Sequence, residues 1–167
     1  MRSLASPQPS AKERDRATEA FQGFLRTRGD RVTRARRQIF DHVMQRRDHF
    51  RADDVARELA SDPGRVSRGT VYRTLALMEE GGFVRTLRDG GLHRHYEVTC
   101  GREHHDHMVC RACGAFIEFF DPGIRRGIET ACRTKRFEQD EHRLVIFGLC
   151  KECRARSEDA PRGSGSS

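Results

Sequence analysis

The chain has 167 residues, no Trp and a hydrophobic share of 35%, with 32 Lys+Arg against 25 Asp+Glu for a formal net charge of +7. That length fits one domain, or two small ones with modest cores. No apolar run reaches the roughly 18 residues that span a bilayer, and the N-terminus lacks the apolar stretch of a secretory signal, so no membrane association and a cytoplasmic location are expected. In a reducing compartment the six Cys point to metal rather than disulfides. The charge is uneven. Residues 1–99 hold 20 basic and 14 acidic side chains, while residues 100–167 hold 12 and 11. A basic first half facing an anionic partner is the expectation.

Residues 1–17 are polar, with Pro7 and Pro9, and read as a disordered tail. Helical patterning starts near Thr18, with Phe21, Phe24 and Leu25 at i, i+3, i+4. Thr33 can cap a helix from Arg34 to about Gln45 with Ile39, Phe40, Val43 and Met44 on its apolar face. Ala52 to Ala60 is a short helix, and Asp62-Pro63-Gly64 a turn. Ser67 caps a helix from Arg68 to about Glu80, ended by Gly81-Gly82. Two alternating segments, 83–88 and 93–98, flank Asp89-Gly90-Gly91 and predict a β-hairpin. Three helices and a two-stranded ribbon make a winged helix-turn-helix over residues 18–98, with the Ser67-capped helix placed to read a major groove. Residues 99–103 form a hinge.

From residue 104 to 154 the pattern predicts a small β-β-α-β unit: strands over 104–109 and 115–120, a helix from Pro122 to about Arg136, and a strand over 143–149. Alone it is too small to be stable, so it should need a metal and a partner subunit. Residues 155–167 read as a second flexible tail. The fold class is thus α+β, a winged-helix domain followed by a small α/β dimerisation domain.

Two Cys-x-x-Cys pairs, Cys110/Cys113 and Cys150/Cys153, each place two thiolates on a tight turn, and two such turns make a tetrahedral four-cysteine site for structural zinc. Such a closed site leaves no position for catalysis. His104-His105-Asp106-His107 can feed two sites, because strand alternation puts His105 and His107 on one face and His104 and Asp106 on the other. Cys100 precedes this strand as a possible soft ligand, and Cys132 reads as a small buried hydrophobe. No Ser-His-Asp order, phosphate-cradling Gly loop or His-Glu-x-x-His occurs, so nothing argues for an enzyme.

Thr70-Val71-Tyr72-Arg73-Thr74-Leu75, the wing, His-His-Asp-His-x-x-Cys-x-x-Cys-Gly, then Ile117-Glu118-Phe119 and a late Cys pair together resemble the ferric uptake regulator superfamily of bacterial metal-dependent transcription factors, over about residues 20–154. The resemblance implies a homodimeric repressor that binds double-stranded DNA at a palindromic AT-rich operator. It assigns the four Cys to structural Zn²⁺, and a regulatory metal to His49, Glu97, His105 and His107, with Glu118 added in some members. A further site would use His104, Asp106 and His142, but its helix Glu is replaced here by Arg125, a cation that weakens it. Tyr72 and Arg73 are implied to contact bases, Arg31 and Arg36 to reach the backbone or minor groove, and Ser67, Arg68 and Thr70 to meet phosphates. Fe²⁺ is the leading regulatory metal, with Zn²⁺ or Mn²⁺ as alternatives. Peroxide sensing is disfavoured, because Glu97 and Glu118 stand where peroxide sensors carry Asp. The rival outside the family is a zinc-buffering or redox protein built on the same Cys and His clusters.

Overall fold

The computed structural model describes residues 10–60, 66–88, 94–102 and 104–158. The chain divides into two compact units that part at residues 103/104.

The first unit opens with α1 (Ala11–Thr27), which begins earlier than the expected Thr18. A reciprocal capping box is the cause: Ser10 Oγ accepts from the Glu13 backbone N–H at 3.2 Å, and the Glu13 carboxylate accepts from the Ser10 N–H at 2.6 Å. Ala17 is buried on its inner face. The polar-tail reading of 10–17 is therefore corrected, and residues 1–9 lie outside the described residues. α2 (Arg34–Met44), α3 (Ala52–Ala60) and α4 (Arg68–Glu80) follow, with Thr33 and Ser67 capping α2 and α4 through the N–H groups of Arg36 and Thr70. β1 (Val84–Arg88) and β2 (Arg94–Val98) pair antiparallel, placing Arg85 opposite Glu97 and Thr86 opposite Tyr96. The turns expected at 62–64 and 89–91 fall outside the described residues.

One apolar core closes this unit. Phe21 stacks on Phe40 with centroids 4.5 Å apart, and Phe83 meets both edge-on. Leu25, Ile39, Val43, Val55, Val71, Leu75 and Met78 fill the remaining space, each fully buried. Burying one such side chain contributes about 1.5–3 kcal/mol. Phe50 bridges to Tyr96, which ties the start of α3 to the wing. α4 is held from behind by this core while Tyr72 and Arg73 stay on its exposed side.

The second unit contains β3 (Asp106–Cys110), β4 (Phe116–Phe119), α5 (Pro122–Lys135), β5 (Val145–Gly148) and α6 (Lys151–Glu158). The sheet order is β4-β3-β5, with β3 antiparallel to β4 and parallel to β5. A parallel neighbour needs a crossover, which α5 supplies. α6 was not anticipated and overturns the tail reading for 155–158: Arg154 N–H bonds back to the Cys150 carbonyl at 2.8 Å, so the second Cys turn seeds a helix. Residues 159–167 lie outside the described residues. The buried set here is thin: Val109, Cys110 and Cys153 with His105, Asp106 and His107. No α5 side chain is buried, while Ile117, Phe120, Phe137, Ile146, Phe147 and Leu149 are exposed. Among the described residues no helix is long and apolar enough to cross a membrane.

Candidate metal centres and nucleic-acid surface

Cys110, Cys113, Cys150 and Cys153 converge, with every Sγ within 4.8 Å of the others. The β3–β4 turn carries the first pair and the β5–α6 turn the second; pairing β3 with β5 brings them together. The Cys113–Cys150 Sγ separation is 3.9 Å, far beyond a disulfide bond near 2.05 Å and close to the edge of a tetrahedron with zinc–sulfur bonds of about 2.3 Å. None of the four is in a disulfide. Backbone N–H groups of Cys150 and Cys113 draw the Cys110 thiol down to about 6. At Cys150 the Cys153 N–H also pulls down, but burial and the Glu152, Cys153 and Cys110 side chains outweigh it and push the thiol up to about 12. This donor set fits a structural zinc ion.

Each unit also carries His and carboxylate groups in contact. In the first, His49 Nε2 lies 3.1 Å from Glu97 Oε2. Glu97 is 0% exposed on β2, with Arg85 bonded to its other oxygen and Arg102 Nη1 at 3.8 Å. A fully buried carboxylate needs such cations. In the second unit, His107 sits opposite Glu118 in the β3–β4 ladder. His105 Nε2 lies 3.8 Å from Glu118 Oε1, and the His105 and His107 rings meet edge to face at 4.9 Å. On the other side of the strand, His104, Asp106 and His142 form a separate group whose ligand atoms also lie within 4.8 Å. Arg125 borders this group, hydrogen-bonded to Glu129 at 3.1 Å. Cys100 joins no ligand group among the described residues. It packs against the first unit's core, and burial pushes its thiol up, with the Glu13 charge adding to the effect. Cys132 is half-buried on α5.

On α4, Arg68, Tyr72 and Arg73 are exposed and Thr70 is half-buried. Tyr72 is 40% exposed, and its hydroxyl donates to Asp53 Oδ1 at 2.6 Å. Arg68 pairs with the same oxygen at 2.8 Å and lies over the Tyr72 ring at 5.6 Å. The Tyr72 hydroxyl first, then Arg68, hold Asp53 below the usual carboxylate range. Arg73 and Arg31 are exposed. Ser67 and Thr70 hydroxyls lie 2.8 Å apart at the helix start. Arg36 is instead engaged within the fold, donating to the Arg31 carbonyl at 2.6 Å and to Asp30 at 3.0 Å. Sequence reasoning missed Asp53, Arg85 and Arg102. Arg85 was findable from the wing register, as the cross-strand neighbour of Glu97; Asp53 had no signal beyond its place in the first turn of α3.

A model of the ferric uptake regulator family matches residues 27–147. The chain is 32% identical over 143 residues to the ferric uptake regulation protein of Campylobacter upsaliensis, covering 84% of this chain and 91% of that one. It is 30% identical over 129 residues to the peroxide operon regulator of Bacillus subtilis, covering 77% and 88%. The solved structure of the Helicobacter pylori ferric uptake regulator, described as having three functional metal-binding sites, superposes with a TM-score of 0.75 at 25% identity, covering 84% of this chain and 93% of that one.

Proposed function

The chain belongs to the ferric uptake regulator family, and from that premise we propose that it is an iron-responsive repressor whose dimer binds a palindromic AT-rich operator only when metal is bound. The family consists of metal-responsive DNA-binding regulators, not enzymes, and the cytoplasm is where such a protein meets its DNA. The reading rests above all on the split donor set. His49 and Glu97 belong to the unit that carries the recognition helix; His105, His107 and Glu118 belong to the unit that carries the four-cysteine group. In this reading one regulatory ion draws ligands from both sets and so favours the state in which two recognition helices match a palindrome. A second ion, Zn²⁺ at the four Cys, holds the small unit together. The regulatory donors are imidazoles and carboxylates with no thiolate, a set that suits Fe²⁺, Mn²⁺ or Zn²⁺, with availability as much as affinity selecting among them. Tyr72 and Arg73 read bases, while Ser67, Arg68, Thr70 and Arg31 meet the backbone.

The test is operator binding by anisotropy with the cysteine-bound zinc retained and Fe²⁺, Mn²⁺ or Zn²⁺ added anaerobically. Tight binding with Fe²⁺ and weak binding without it is the expected result. Equal affinity with and without the second metal would remove the gating claim, and stronger activation by Zn²⁺ than by Fe²⁺ would remove the iron assignment.

A further inference from the structure

Glu97 faces more positive charge than one carboxylate can neutralise. It is fully buried on β2, and each of its oxygens has a guanidinium of the first unit beside it. Arg85, opposite it in the wing ladder, donates from Nε to Oε1. Arg102 brings Nη1 to 3.8 Å from Oε2, and Nη2 of the same guanidinium donates to the Arg47 carbonyl. The Arg102 side chain is 9% exposed, and its backbone N–H donates to the Thr99 carbonyl at 3.3 Å. A cation from the end of the hinge thus reaches both β2 and the segment that leads to His49.

The same Oε2 lies 3.1 Å from His49 Nε2. Two donors at that separation can take neighbouring positions on one ion with bonds of about 2.0–2.2 Å. Arg85 is bonded to Oε1, so Glu97 offers the ion Oε2. A bond of about 2 Å to that atom leaves the ion within about 6 Å of Arg102 Nη1. A divalent charge then faces a guanidinium where little water is left to screen the two. The carboxylate supplies one negative charge, and Arg85 already draws on it. We propose that Arg102 is a built-in competitor of the regulatory ion: its guanidinium and the ion contend for Glu97 Oε2, while Arg85 keeps Oε1 and holds the carboxylate in place. Arg102 sets the metal affinity lower than His49 and Glu97 alone would give, and so raises the metal concentration at which the protein responds. The inference rests on the reading of His49 and Glu97 as ligands of that ion, and adds to it a residue that is not itself a ligand.

The experiment titrates the full chain, zinc-loaded at its cysteines, with Mn²⁺ by calorimetry, and follows thermal unfolding of the helical signal with and without Mn²⁺. The equivalent of Mn²⁺ that is lost in His49→Ala defines the regulatory ion. Arg102→Gln should bind that equivalent about tenfold more tightly than the unaltered chain, since a like charge beside a ligand disfavours an added cation by about that order. Arg102→Met, which keeps the apolar stem, should do the same. Arg102→Lys keeps the charge and should stay close to the unaltered chain. Without Mn²⁺ both neutral variants should melt lower, because Glu97 loses a counter-charge, yet they should gain more from added Mn²⁺. A residue with a structural role alone would lower the melting temperature and leave Mn²⁺ affinity unchanged or weaker, and that result overturns the proposal. So does an Arg102→Lys protein that binds as tightly as Arg102→Gln. Binding lost in His49→Ala but unaltered in both neutral variants removes the competitor alone. Mn²⁺ bound equally by His49→Ala and the unaltered chain removes the ligand pair, and the competitor with it.

Discussion

At the scale of single residues, Asp53 bears on how the proposed DNA surface would work. It is an anion on a cationic face, and it holds both Tyr72 and Arg68. Because those partners lower its pKa, the clasp is fully present above the ordinary carboxylate value near 3.8 and is lost only as pH falls through the lowered one, so it persists across pH 5–9. Asp53→Ala removes one negative charge and frees the tyrosine. Binding to any duplex should tighten by roughly three- to tenfold, while discrimination between operator and unrelated DNA should fall; unchanged values for both would show that the clasp has no part in recognition. Arg73→Ala should cost about 1–3 kcal/mol of operator affinity and leave metal affinity of the free protein unaltered. Tyr72 and Arg73 stood out in the sequence because they sit in a recognisable helix motif, and the structure leaves both exposed on α4. Asp53 did not stand out, because it meets Tyr72 only through the packing of α3 on α4, across 19 positions of chain.

Among the elements, β3 carries the most. Its alternation was readable from residue types alone, since a strand can only send His105 and His107 one way and His104 and Asp106 the other. Alternation alone does not give the partner of each face, which only the family resemblance supplied: Glu118 arrives by ladder register and His142 by the return to β5. α1 carried its own start signal in Ser10 and Glu13, yet its first turn is polar and offers no apolar period before Ala17, so composition outweighed the cap. α6 is short and polar and depends on the Cys150–Cys153 turn. The second unit buries few apolar side chains, which leaves the β3–β5 ladder and the four cysteines to hold β3 to the β5–α6 corner. Cys110→Ser should therefore unfold residues 104–158 and abolish dimerisation, whereas residues 10–102, with a large apolar core of their own, should keep their helical signal. Heteronuclear NMR would show which resonances collapse; a folded, dimeric Cys110→Ser protein would deny the cysteines a structural role.

For the whole molecule, two properties located in different units have to be coupled if the chain is a metal-gated repressor. The excess positive charge lies in the first 99 residues, so duplex affinity should fall steeply with salt whatever the metal state. Gating must then act on the preference for a palindrome rather than on raw attraction to phosphate. Linkage makes this measurable from either side. If Mn²⁺, a stand-in for Fe²⁺ that tolerates air, raises operator affinity by some factor, the operator must raise Mn²⁺ affinity by the same factor. His49→Ala and His107→Ala alter opposite units and should lose this coupling alike, each retaining the cysteine-bound zinc and the salt-dependent, non-specific binding. The measurement is a pair of titrations for each protein: Mn²⁺ affinity with and without operator, and operator affinity with and without Mn²⁺. If His107→Ala lost the coupling and His49→Ala kept it, the regulatory ion would take its ligands from the second unit alone, and the first unit would respond to metal only through the dimer.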